Sequence, residues 1–237
     1  MVDEYLTMVV GNSIVLVPEV DGAAAYDDLI NSILLAQLVA NKKIEKTPEI
    51  VWYDACMEVL DAYWLRQKKS NQTWEFSYNA EGLVPDVFTA MLTYGALGDA
   101  HTTAAVLARV ARLPDKEPAL QLLRSHMQPL VEPKPTAVPE PLMDVRLLVI
   151  VAKSPNSITS AYVEFKTRQV LSPNPFQQSY QADDLHGLVH VHHACANLIE
   201  QLYGPVRAAT ALKVRDRLAR NVATLPLPTE VESCRLR

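Results

Sequence analysis

The sequence predicts an α+β fold: a mainly antiparallel sheet built from an N-terminal and a C-terminal β-hairpin, packed against several α-helices. Three observations carry the prediction. Two pairs of β-rich runs are each joined by turn residues, one at 6–17 and one at 144–169. The stretch between them holds successive helical patterns, so strands and helices are segregated and do not alternate as βαβ units. No fixed-period repeat is present, which excludes a helical solenoid.

The elements follow in order. In "LTMVVGNSIVLV" the pair Gly11-Asn12 separates two runs that are apolar on both faces. Glycine at the first turn position suits a type II′ hairpin, and strands apolar on both faces need cover on both. Asp21 then marks the start of a helix over 22–41. Its Leu29, Ile30, Ile33, Leu34, Leu35, Leu38 and Val39 surround most of the circumference, so it belongs in the core or in an oligomer interface. Thr47-Pro48 opens a second helix, with Trp52, Cys56, Val59, Leu60 and Tyr63 on one stripe. "TWEFSY" alternates as a half-buried strand, with Trp74, Phe76 and Tyr78 on one side. Two helices follow over 85–113, the second capped by Asp99, and a third, short one lies over 118–127.

Prolines 129, 133, 135, 139 and 141 then make a strap or linker over 129–143. Residues 131–141 span roughly 34 Å at about 3.1 Å each in polyproline conformation. Beyond it, "VRLLVIVA" and "YVEFKTRQV" form the second hairpin; the charged face of Glu164, Lys166 and Arg168 suits an edge or a solvated side. A last helix runs from near Pro205 to Ala223, and 224–237 is an extended tail. The organisation expected is an N-terminal hairpin with a helical region (1–128), the strap, and a second hairpin with two helices (144–223), with the two hairpins sharing one sheet.

Composition narrows the function. The 237 residues carry a formal net charge of −5, which gives no overall attraction to nucleic acid or anionic membrane. The acidic start lacks the basic and apolar regions of a signal peptide, and "LINSILLAQLVA" is too short to span a bilayer. Three cysteines without a CxxC pair favour free thiols in a reducing compartment, so a cytoplasmic protein is expected. Seven glycines form no GxGxxG, P-loop or GxSxG, and no cofactor is expected.

The one chemically distinctive stretch is "LHGLVHVHHACANL" at 185–198, with four of the six histidines. A helical register sorts nearly every residue. His186, His190 and His193 fall on one stripe extended by Asn197 and Glu200, and Leu188, Val191, Cys195, Leu198 and Leu202 fall opposite. As a strand, His190 and His192 would instead share a face and His193 would take the other. On the helix, the three imidazoles are either part of a divalent-metal site or the polar face of an amphipathic helix. The polar face is preferred, because His186 and His193 lie about 10.5 Å apart along the axis and Glu200 lies as far again. Cys195 and Cys56 are expected as buried, inert thiols. Lys213, Arg217 and Arg220 at i, i+4, i+7 are either a phosphate- or partner-binding stripe or, preferably, a solvated helix face.

These residues predict a non-catalytic protein acting through self-association or within a larger assembly. Its partners would be copies of itself or other protein subunits, with Leu29, Ile33, Leu34 and Leu38 as the interaction stripe. Two alternatives stay open: a metal-dependent hydrolase using His186, His190 and His193, and a small-molecule binding protein with a pocket lined by Trp52, Trp74 and Phe76.

Overall fold

A computed structural model describes residues 5–74, 100–128, 142–178 and 184–227. The fold is α+β, organised as one seven-stranded mixed sheet with helices on both faces. The strand order is β3-β6-β5-β4-β2-β1-β7. β1 (Tyr5–Val10) and β2 (Ser13–Pro18) form the N-terminal hairpin, paired from Tyr5↔Pro18 to Val10↔Ser13. Gly11 alone carries a positive φ at the turn, 57°, which fits the type II′ geometry. β4 (Met143–Ser154) and β5 (Ser157–Thr167) form the second hairpin. The two hairpins meet where β2 runs parallel to β4, Ser13 against Leu148 through Leu16 against Val151. All other neighbouring strands are antiparallel, so the sheet is mixed.

One core lies on each face. On the first, α3 (Ala100–Val110) and α4 (Pro118–Met127) bring Leu107, Val110, Leu120 and Leu123 onto Ile14, Leu16, Val149 and Val163. On the second, α1 (Asp27–Lys46), α2 (Trp52–Leu60) and α5 (Arg207–Asn221) cover Val10, Val15, Val17, Leu148 and Ile150. Cover on both sides explains why β1, β2 and β4 are apolar at nearly every position.

Several expectations are corrected. The first helix begins at Asp27, after two 3-10 turns over Glu19–Tyr26, and the second begins at Trp52. Leu29, Ile33 and Leu34 have no exposed surface, and Leu38 is partly buried against the same core. Within the chain this stripe packs on the sheet, α2 and α5, which is the core placement of the two that the sequence left open. β5 is not an edge, since it lies between β4 and β6; its charged face is the solvated side, with Lys166 and Arg168 exposed and Glu164 held by Arg146 of β4 at 2.7 Å. Thr73 and Trp74 of "TWEFSY" end a longer strand, β3 (Trp64–Trp74); the rest of that stretch, with Phe76 and Tyr78, lies outside the described residues. So do the helix expected before Asp99, most of the proline strap, and the tail beyond Leu227. Val222–Thr224, at the tail's start, forms β7 on β1.

Candidate functional site

The histidine segment is a strand. β6 spans Leu185–Leu198, hydrogen-bonded to β3 on one side and β5 on the other. The helical register fails because the segment sits between two strands whose ladders it completes. Its period is two, visible locally in Val189-His190-Val191-His192.

The change of period separates the histidines. Val189 and Val191 pack into the α3/α4 core, and His193 lies on their side of the sheet. His190 and His192 project from the other side, with Ala194, Ala196 and Leu198. His186 stands opposite Lys166, across a register slip at Gly187, whose φ is +77°. His186, His190 and His193 therefore do not converge, and among the described residues no three His, Cys, Asp or Glu side chains are grouped to hold a metal ion. His193 is 5% exposed, and neither ring nitrogen has a hydrogen-bond partner among the described residues. Burial lowers its pKa, as expected for an imidazole held neutral away from water.

His192 belongs to a column of rings under α2. It stacks on Tyr53 at 3.9 Å between centroids and 20° between planes. Tyr53 meets Tyr162 at 4.8 Å, and Tyr162 stacks on Trp52 at 5.7 Å. The Arg146 guanidinium lies 6.0 Å from the Trp52 ring centre. Trp52 is 2% exposed, with the Tyr162 ring and the Arg146 guanidinium against it. Each ring pair contributes about 0.5–1.5 kcal/mol beyond its buried area, and the column pins α2 to β5 and β6. Burial raises the Tyr162 hydroxyl well above its usual pKa, so this ring stays neutral near pH 7.

His192 gives the column a pH dependence. Burial, then His190, pushes its pKa down to about 4, while Asp54 pulls the other way. The unfolded chain, with an ordinary histidine near 6.5, binds the proton first. Stability from the neutral ring is therefore full above pH 6.5 and is lost as pH falls toward 4. We predict a loss of about 1–2 kcal/mol between pH 7 and pH 4.5, with solvent screening of this half-buried ring allowed for. Urea midpoints at the two pH values measure it. His192→Phe keeps the stack and should shrink the difference; an equal difference in that variant would show that other groups cause it.

Other sequence candidates are placed plainly. Cys56 is fully buried in the core, and burial raises its pKa strongly. Cys195 is only partly buried, opposite Lys68 on β3 and Thr159 on β5. Lys213, Arg217 and Arg220 are exposed on α5.

The feature that sequence reasoning missed is β3 itself. Among the described residues it pairs on one side only, with β6, and so forms an edge of the sheet eleven residues long. Leu65, Gln67, Lys68, Lys69, Ser70, Asn71 and Thr73 are exposed along it. No alternation marks it, because neither face is fully buried.

No protein-family model matches the chain, and no curated protein matches it. Among solved structures it is similar to one titled "Structure of the Evf virulence factor", at 11% sequence identity over 94% of this chain and 85% of that one, with a TM-score of 0.32.

Proposed function

We propose that this chain is a non-catalytic association protein that joins copies of itself, with the tail of one copy adding a strand to β3 of the next. The observation that carries the reading is the long, exposed and basic β3 edge. An edge strand offers a row of backbone donors and acceptors to an incoming strand. Lys68 and Lys69 repel another basic edge and so favour an acidic segment.

The chain carries such a segment. Thr229-Glu230-Val231-Glu232-Ser233 alternates in sequence with period two, a pattern that in an added strand would put both carboxylates on one face. It cannot reach β3 of its own chain. β7 lies six strand spacings from β3 in the sheet order, about 29 Å at about 4.8 Å per spacing. The six residues from Thr224, the end of β7, to Glu230 extend at most about 22 Å. Tail-to-edge pairing is therefore between copies and runs head to tail, giving a ring or an open filament.

Light scattering at up to about 100 μM in low salt tests this, since exposed charges are then least screened. The full chain should be larger than a monomer, and a chain ending at Leu227 should be monomeric. Glu230→Lys with Glu232→Lys should also give a monomer, and adding Lys68→Glu with Lys69→Glu should restore assembly. A full chain that stays monomeric, or an assembly indifferent to the tail, overturns the reading.

A further inference from the structure

We infer that the chain chelates a divalent transition-metal ion, of the nickel, copper and zinc class, between His190 and His192 on the α2 side of β6.

The first support is the strand. His190 and His192 stand two residues apart on one face of β6, and the ladder to β3 runs without a slip from Val189 to Cys195. Their Cα atoms are therefore about 6.7 Å apart. From that spacing two imidazoles can lean together and bring one nitrogen each to about 2.0–2.1 Å from a shared ion. The same strand period that takes His193 to the other face of the sheet makes this pair.

The second is that one ring is held and the other is free to turn. His192 is half-buried and stacked face to face on Tyr53, at 3.9 Å and 20°. A face stack leaves the nitrogen lone pairs, which lie in the ring plane, available to a ligand. His190 is exposed, so its ring can swing between rotamers to close on an ion that its neighbour already holds. Fixing one of two ligands in advance lowers the ordering cost of binding.

The third is the surroundings. Across the ladders His190 faces Glu164 on β5 and Thr73 on β3, and His192 faces Tyr162 and Asn71. Glu164 is held by Arg146 at 2.7 Å, and Arg66 is paired with Asp61. These two cations are thus matched and do not repel an incoming ion as free charges would. Asp54, exposed on the first turn of α2, lies close enough for its carboxylate to act on the His192 ring. Among the described residues no third His, Cys, Asp or Glu is grouped with the pair, so water fills the remaining positions. Two imidazoles with open positions suit nickel, copper or zinc; magnesium and calcium take oxygen ligands instead. The site is independent of the tail-to-edge reading, because both ligands belong to one chain.

Nickel is the probe, since it does not oxidise the chain's thiols as copper does. Calorimetric titration of NiCl2 into the full chain, stripped of metal and carrying no histidine tag, should show one ion per chain. His190→Gln should weaken that binding about 100-fold, because the second imidazole of a chelate acts at a high effective concentration. His192→Phe, which keeps the stack on Tyr53, should weaken it as much. His186→Gln, a change on the same strand outside the pair, should leave it unaltered, and MgCl2 should give no binding. Nickel bound equally well by His190→Gln, one ion shared between two chains, or no nickel binding at all overturns the proposal.

Discussion

Gln37→Leu should lower the unfolding free energy by about 3–4 kcal/mol, the largest loss expected from any single polar residue here. Gln37 is 3% exposed on α1, yet it makes three hydrogen bonds to the tip of the first hairpin. Its amide donates to the Val10 carbonyl (3.0 Å) and to Ser13 Oγ (2.6 Å), and its Oε1 accepts from the Asn12 N–H (3.0 Å). Leucine matches its size but strands a backbone donor, a backbone acceptor and a hydroxyl in a dry interior, and each unmet group costs about 1–3 kcal/mol. The same contact restricts Gly11. A Cβ there would fall 2.0 Å from Gln37 Oε1, on backbone already at a φ of +57°. Gly11→Ala and Gln37→Ala should therefore be non-additive, because removing the amide removes the clash. Equilibrium denaturation of the variants measures both effects; a Gln37→Leu loss below about 1 kcal/mol would mean that water reaches the turn.

Asn174→Ala should cost about 2–3 kcal/mol. This asparagine, 1% exposed, sits in the loop after β5 and ends α3 from outside. Its Nδ2 donates to the carbonyls of Val110 (3.1 Å), Ala111 (3.3 Å) and Leu113 (3.1 Å), and its Oδ1 accepts from the Phe176 N–H (3.1 Å). The last carbonyls of a helix have no partner within it, and here one side chain sixty residues away supplies the donor. Asn174→Asp keeps the acceptor but turns a carboxylate toward those carbonyls, so above its own pKa it should be worse than alanine. Thermal melts at neutral pH rank the two. Alanine as damaging as aspartate would mean that lost packing, not lost donation, sets the cost.

Both hairpins and most helices are legible in the sequence because their signals are local. Gly11-Asn12 between two apolar runs fixes a turn, and Glu117-Pro118 caps and opens α4. β6 misleads for a physical reason. Its alternation runs cleanly only over Val189–His192 before His193 and Ala194 are both buried, and its apolar residues at 188, 191, 195 and 198, with Leu202 beyond it, happen to match a helical stripe. The β-branched Val189 and Val191 between histidines were the better signal. β3 is hidden for the opposite reason: exposed on both sides, "RQKKSNQT" has nothing to alternate. The β2–β4 parallel pair and the stack of His192 on Tyr53 depend on partners far away in the chain. No short window of sequence contains them.

The position of the first hairpin also bears on how the protein is made. β1 and β2, apolar on both faces, are flanked in the finished sheet by β7 and β4, both from the second half of the chain. A ribosome adding about 5–20 residues per second needs roughly 10–40 s to go from the end of β2 to β7. Through that interval the nascent hairpin presents two bare edges, and until α3 and α4 emerge only the face that α1 and α2 cover can be closed. It is the segment a holding chaperone should grip first, and the one through which slowed translation should turn yield into aggregate.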